Sequence, residues 1–441
     1  MSQEVYNQFN KSIKANLDLC YKDYLLAKGK VANSTAIYKG EPVEFLYQGL
    51  FYSESEYKEL KKLLNGLNSI LDKVINEYKN NPVFRSYFAF SDLMEELILI
   101  NPGYTNNFPM GRFDIFYEES GQHKFCELNA DGASAMNEVR VIQNVIYDSL
   151  VSQEILKNYN LEKFELFYSW IDSLLDNYRE FNNGVDDKPN IAIVDFDGDG
   201  TISEFKEFQK RFIQSGYQTV ICDPRELKYI NGYLYYNDIK IKLVYRRATT
   251  IRLIEEVDFI SDFLDAYRDG AVCVVGGLVS QIIHNKVLFA ILHDYYKVSF
   301  LNKDDKAFIK NHIPYTKIID FQDIELIKKI KNQKDRWILK PFDQYAGKGV
   351  YAGKDFEDRR WNDIIDKNIN IEYIVQEYIN VPQCEMAYAD KQLRFEDFGY
   401  LLGLFSYNQR LTGLYTRAGR KSIIGAIAES FTVPNYVYRE V

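Results

Sequence analysis

Between residues 54 and 77, hydrophobic positions recur at helical spacing. Leu60, Leu63, Leu64, Leu67, Ile70, Leu71, Val74 and Ile75 form one stripe between charged neighbours. That pattern predicts a long amphipathic helix, and residues 1–80 read mainly as helix. From about Phe113 the spacing tightens to two. Phe113–Tyr117 and Lys124–Leu128 read as short strands around a turn at 118–123, and Asn137–Ser152 returns to the helical period. The polar stretch over 181–189 reads as a linker. Beyond it come a buried strand at Ile191–Val194, a helix at Glu204–Gly216 and a strand at Thr219–Asp223. Ile241–Tyr245, a helix near Glu255–Arg268 and Ala271–Val275 continue the alternation, which predicts a small parallel sheet covered by helices. Past residue 300, the strand Trp337–Pro341 runs into a glycine-bearing turn, and Tyr373–Ile379 comes later as another strand. The sequence shows no internal repeat and no low-complexity tract.

With 441 residues the chain exceeds one ordinary core, so two or three subdomains are expected. Hydrophobic residues at 46% and charged residues at 27% fit a folded protein and exclude a disordered one. The 15% aromatic share predicts ring-lined cores and clefts. A net charge of −9 with pI near 5.3 argues against a broad nucleic-acid surface but leaves room for a small basic pocket. No apolar run approaches the ~20 residues a membrane helix needs, and Met1–Tyr6 has no charged-then-apolar signal pattern. Five scattered cysteines without a CxxC pair, and four histidines, argue against a disulfide framework and a zinc site. A cytoplasmic location is therefore expected.

Three stretches carry candidate chemistry. In Trp337-Ile-Leu-Lys-Pro-Phe-Asp-Gln-Tyr-Ala-Gly-Lys-Gly-Val-Tyr, Lys340 ends a strand and Gly347, Lys348 and Gly349 form a flexible turn. Glycines let backbone N–H groups approach phosphate oxygens, and lysines supply point charges. The competing reading is an ordinary hairpin loop. In the stretch 371–379, a buried strand ends at Gln376 and Glu377, where backbone groups can meet an adenine edge; most such strands are only core. In Gly111-Arg-Phe-Asp-Ile-Phe and Phe125-Cys-Glu-Leu-Asn-Ala-Asp-Gly, Asp114 and Glu127 lie on adjacent predicted strands, with Asn129 on the face of Glu127. Those are hard oxygen ligands of the kind Mg²⁺ takes, Asp131 adds a fourth oxygen-bearing side chain, and Arg112 beside Asp114 offers a fork for phosphate or carboxylate. The alternative is a surface hairpin with ordinary charges. A fourth stretch, Asp195-Phe-Asp-Gly-Asp-Gly, mimics a calcium loop. Its twelfth position is Lys206 where a bidentate Glu is needed, and a strand precedes it, so a βα turn is expected.

Together these stretches resemble the circularly permuted ATP-grasp proteins, the group that includes the synthetase domain of glutathionylspermidine synthetase. The resemblance runs from about residue 85 to the end. It rests on Gly111-Arg-Phe-Asp, Cys126-Glu-Leu-Asn-Ala-Asp-Gly, Val244-Tyr-Arg-Arg, Asn285-Lys, Ile338-Leu-Lys-Pro, Gly347-Lys-Gly and Tyr415-Thr-Arg-Ala-Gly. Glu127 and Asn129 precede Lys340, which is the permuted order. The implied fold class is α/β: a circularly permuted ATP-grasp fold with a small parallel-sheet pre-ATP-grasp domain and N-terminal helices. The implied domains are an N-terminal helical region at 1–84, a permuted portion with the metal-binding strands at 85–184 and the pre-ATP-grasp-like domain at 185–300. A nucleotide-binding lobe at 301–400 and a segment at 401–441 complete the core.

By that resemblance Asp114, Glu127 and Asn129 would hold Mg²⁺, and Lys286 and Lys340 would contact the phosphates of ATP. The loop with Gly347, Lys348 and Gly349 would close over them, and Gln376, Glu377 and Ile379 would line the adenine pocket. Arg112 and Arg417 would steady an acyl phosphate. The implied activity is a carboxylate–amine (or carboxylate–thiol) ligase that forms an amide through an acyl phosphate and releases ADP and phosphate. Its partners would be small-molecule carboxylate and amine substrates, with a carrier-protein acceptor also open, and neither nucleic acid nor membrane. The resemblance does not extend to the amidase domain of the bifunctional synthetase, so hydrolysis of the product is not expected. A small-molecule kinase and a non-catalytic nucleotide binder of the same fold are the alternatives.

Overall fold

The computed structural model describes residues 1–118, 120–185, 187–344, 347–369, 372–425 and 429–441. Glu119 of the expected turn, Asp186 of the expected linker, Tyr345 and Ala346 of the glycine stretch, and Ile371 lie outside the described residues.

The long predicted helix runs from Glu54 to Asn80. It starts at a capping box: the Ser53 hydroxyl accepts from Glu56 N–H at 3.2 Å, and the Glu56 carboxylate accepts from Ser53 N–H at 2.8 Å. Its apolar stripe, from Leu60 through Ile75, is buried in the main core. The expectation of helix over 1–80 misses what lies between. Ile37–Tyr38 and Glu41–Pro42 form a small hairpin, turned by Lys39 and Gly40 at φ 51° and 85°. Leu50–Ser53 is a strand parallel to Asn435–Glu440, a pairing across nearly the whole chain.

Around the site the structure is built from three sheets. An antiparallel core sheet runs Phe431–Val433, Arg410–Gly419, Leu393–Tyr407, Met110–Phe116, Lys124–Asn129, and Gln383–Ala389 pairs with the first half of Leu393–Tyr407. A parallel sheet has the order Cys273–Val275, Leu243–Arg246, Ile191–Val194, Thr219–Cys222, as the alternating pattern predicts. A lobe sheet has the order Thr316–Ile318, Tyr373–Glu377, Trp337–Pro341, Tyr351–Ala352, all antiparallel.

Three local expectations are corrected. The helix expected over Asn137–Ser152 is two, Met136–Tyr147 and Leu150–Ile155, because Ser149 caps the second by accepting from Ser152 N–H at 3.2 Å. The helix expected near Glu255–Arg268 likewise splits into Thr250–Glu255 and Ser261–Arg268. The strand expected at Ile241–Tyr245 divides between two sheets. Ile239–Ile241 ends a three-stranded antiparallel excursion turned at Asn231, Gly232 and Asn237, all at positive φ, and Leu243–Arg246 joins the parallel sheet.

In the lobe sheet, alternation sorts chemistry from packing. Trp337 and Leu339, with Tyr373 and Val375, pack on Trp361, Ile364 and Ile365. Lys340 and Gln376 take the other phase of their strands. Among the described residues no helix is long and apolar enough to cross a membrane.

Candidate active site

In the core sheet Asp114 pairs directly with Glu127, and Arg112 with Asn129. The register then slips between Asp114 and Ile115, which pairs with Phe125, so Cys126 is an extra residue in its strand. The bulge reconciles the sequence with the sheet. Phe125 and Leu128 are both buried in the core, three positions apart, while Cys126, Glu127 and Asn129 stay half-buried, Glu127 and Asn129 lining the cleft and Cys126 packing on a small apolar cluster. A regular strand would have turned one of those two apolar residues outward.

Asp114 is almost wholly buried. Arg112 Nε donates to its Oδ1 at 3.1 Å, and Arg417 donates to its Oδ2 from the neighbouring Arg410–Gly419 side of the sheet. Asn129 Nδ2 reaches Glu127 Oε1 at 3.2 Å and Asp114 Oδ2 at 3.4 Å, while Arg417 lies 3.7 Å from Glu127. Gly403, paired with Asp114, leaves room for this cluster, since a Cβ there would stand 2.8 Å from Asp114 Oδ1. Burial pushes Asp114 above the usual carboxylate range, with Arg112 and Arg417 pulling it back. Burial alone would raise Glu127 too, but Lys286, Arg417 and Lys340 outweigh it and hold that carboxyl well below the usual range. Their surroundings drive the two paired carboxyls apart.

The two lysines sit between the core and lobe sheets. Lys340, buried, donates to the Cys126 carbonyl at 3.0 Å and to Gln376 Oε1 at 2.8 Å; Gln376 in turn donates to Thr316 Oγ1 at 3.0 Å. Lys286, half-buried, donates through Nζ to the Gln344 carbonyl at 2.7 Å and through its backbone to the Phe342 carbonyl at 2.9 Å. Loss of hydration lowers Lys286, with Glu127 and Asp343 pulling it back up. Among the described residues neither lysine forms an ion pair; both ammonium groups rest on neutral oxygens. Glu377 and Ile379 are half-buried. Ile379 belongs to a small apolar cluster with Phe116, Leu401, Ile424, Cys126 and Val381, which bridges lobe and core sheet.

Gly347 and Gly349 adopt φ 79° and 72°, a region open to glycine. A Cβ at Gly349 would also lie 2.8 Å from the Tyr373 hydroxyl. Lys348 between them is exposed and lines a cleft of about 650 Å³. Arg112, Glu127, Asn129 and Arg417 line the same cleft, whereas Asp114, Lys286, Lys340, Gln376, Glu377 and Ile379 are not among its lining residues.

The far wall of the cleft comes from the parallel sheet. The stretch 195–200 is a βα turn between Ile191–Val194 and the helix Ile202–Gln214. Asp199 pairs with Arg252 at 2.7 Å, and Asp223 accepts from Asp197 N–H at 3.0 Å, so these carboxylates serve the turn. Burial, with Arg247 pulling against it, pushes Asp195 up to about 6. Glu204, buried, accepts from Asn137 N–H at 3.0 Å at the start of the helix Met136–Tyr147.

Sequence reasoning missed several participants. Tyr415 lies under the Arg112 guanidinium at 5.3 Å and under that of Arg417 at 5.9 Å. It stands two residues before Arg417 on one strand, so the period-2 rule had the signal to find it. The hairpin around Tyr38 also lines the cleft, and nothing local in the sequence marks it.

No family model and no curated protein matches the chain. Among solved structures, a glutathione synthetase-like effector from Globodera pallida, in its apo form, aligns with a TM-score of 0.59 at 10% identity. The alignment covers 96% of this chain and 98% of that one, which establishes a shared mixed α/β fold. A putative gamma-glutamylcysteine synthetase from Methylobacillus flagellatus aligns at a TM-score of 0.40 and 9% identity, over 82% of this chain and 87% of that one. D-alanyl-alanine synthetase A from Vibrio cholerae aligns at 0.29 and 13%, over 48% and 67%. These two likenesses are too loose to carry an argument.

Proposed function

We propose that this chain is an ATP-dependent ligase of permuted ATP-grasp type that activates a carboxylate as an acyl phosphate and passes it to an amine. The observation that carries this reading is the pair Lys286 and Lys340. Both are at least half-buried, both hydrogen-bond to neutral groups with no ion pair among the described residues, and both lie beside Glu127. Two ammonium groups drawn largely out of water, sharing Glu127 without a direct ion pair among the described residues, leave positive charge to be matched by an anion, and a triphosphate between lobe and core meets that need. The whole-chain likeness to a glutathione synthetase-like protein supports the fold in which this chemistry would sit.

In this reading Lys286 and Lys340 bind the phosphates, and Lys348 with the Gly347 and Gly349 N–H groups covers them. Gln376 and Glu377 offer the adenine its polar edge, and Ile379 with Phe116 and Leu401 packs on its faces. A substrate carboxylate oxygen attacks the γ-phosphorus; the bond to the β–γ bridging oxygen breaks and ADP departs. The amine nitrogen then attacks the acyl carbon, the C–O bond to phosphate breaks, and the amine gives up a proton. Arg112 and Arg417, both set over Tyr415, steady the charge that collects on the transferring group. Asp114, Glu127 and Asn129 form a hard-oxygen set with Glu127 held ionised, which fits Mg²⁺; when bound, that ion would neutralise phosphate charge. Substrates are small carboxylates and amines, with a thiol or carrier group as another acceptor, and the reaction belongs in the cytoplasm.

Hydroxylamine trapping tests the reading. Incubated with Mg·ATP, pooled carboxylic acids and hydroxylamine, the protein should yield ADP and hydroxamate in equal amounts. ADP formation without hydroxamate would point to phosphoryl transfer onto a stable product and would overturn the ligase assignment.

A further inference from the structure

The strand that carries Glu127 is irregular where Glu127 must be aimed, and a single side chain from another sheet holds the irregularity. Cys126 is the extra residue of the bulge, so its carbonyl lies outside the regular ladder between Met110–Phe116 and Lys124–Asn129. Lys340, from the lobe sheet, donates to that carbonyl at 3.0 Å. It also reaches Cys126 Sγ at 3.9 Å and donates to Gln376 Oε1 at 2.8 Å, on the adjoining lobe strand, and Gln376 is anchored in turn on Thr316. One buried ammonium thus spans two sheets, with its lobe end braced through Gln376 to a third strand. A bulge places two residues opposite one and re-aims the side chains beyond it; here it brings Glu127 to the cleft and lets Phe125 and Leu128 remain in the core.

We propose that Lys340 is a positioning residue for Glu127 in addition to its phosphate contact: by holding the Cys126 carbonyl it pins the bulge, fixes the direction of Glu127 and ties the lobe sheet to the core sheet. The phosphate contact rests on the function proposed above. The positioning role does not, because the Lys340–Cys126 bond is a contact between two residues of the chain itself. Losing one charged hydrogen bond corresponds to a local opening about ten- to a hundredfold more frequent. A guanidinium can still reach a carbonyl, whereas a thioether cannot donate.

The test is hydrogen exchange on the full chain without nucleotide, comparing wild type, Lys340→Met and Lys340→Arg. Peptides covering residues 124–130 should exchange about ten- to a hundredfold faster in Lys340→Met, with near-wild-type rates in Lys340→Arg and unchanged exchange across Arg410–Gly419. Wild-type exchange at 124–130 in a natively folded Lys340→Met would overturn the proposal. Should Lys340→Met not fold, wild-type exchange in low urea decides. Residues 124–130 and 337–341 should open with one free energy and one urea slope, and two separate openings would overturn the tie. Failure of nucleotide to bind would remove the ATP reading yet leave both exchange results standing.

Discussion

The Lys340 ammonium and the Cys126 carbonyl, 214 residues apart and on different sheets, meet at 3.0 Å. This contact brings the lobe's lysine to the strand that carries Glu127, so the two halves of the proposed site share one boundary.

Glu127 is held ionised by Lys286, Arg417 and Lys340 against its burial. Its folded value lies below its unfolded one, so its contribution to stability is present above about pH 4.3 and lost as the pH falls through the folded value. Thermal melts of wild type and Glu127→Gln should differ by a constant amount above that pH and converge below it. In turnover assays at ordinary magnesium, Glu127→Gln should lose activity; full activity would remove Glu127 from the metal set.

Asp195 carries the opposite sign. Burial raises it to about 6, so its contribution is fully present below the unfolded value of about 3.9 and is lost as the pH rises through 6. Asp195→Asn should melt higher than wild type at pH 7, and the gap should close as the pH drops toward 4. A gap independent of pH would contradict this assignment.

Gly403 faces Asp114 with no room for a methyl group, since a Cβ would lie 2.8 Å from Oδ1 and 3.1 Å from the Arg112 chain. Gly403→Ala should destabilise the chain by about 1–3 kcal/mol, read as a lower urea midpoint. An unchanged midpoint would show that the Arg112–Asp114 pair moves aside freely.

Trp361 is fully buried in the lobe and donates through Nε1 to the Ile330 carbonyl at 3.1 Å. Trp361→Ala should cost about 3–5 kcal/mol. The loss should appear in hydrogen exchange at Trp337–Pro341 before it appears in the core sheet. Uniform loosening of both would contradict a separately packed lobe.

The parts of this arrangement that are legible in the sequence depend on near neighbours. The period-2 pattern puts Asp114 and Glu127 on adjacent strands with Asn129 on the face of Glu127, and the alternation after residue 190 reads as the parallel sheet. Tyr415 was within reach of the same rule. Other parts depend on distant partners. Arg417 reaches Asp114 across 303 residues, and no spacing announces that contact. Leu50–Ser53 becomes a strand because Asn435–Glu440 pairs with it, so a helical reading of the N-terminal region passes over it. The bulge at Cys126 is invisible to a periodicity count, because Phe125 and Leu128 can both face the core, with Glu127 and Asn129 on the cleft, only once the extra residue is known. Breaks in the helices at Ser149 and near Ile260 arise from capping and packing that weak propensities do not decide.

The most direct measurement is calorimetric titration of a non-hydrolysable ATP analogue with magnesium into wild type and Lys340→Ala. The expected result is clear binding by wild type, weakened about ten- to a hundredfold in the variant, the consequence of losing one charge-assisted phosphate contact. Equal affinity in both proteins, or no binding by folded wild type, would contradict a nucleotide seated between lobe and core sheet.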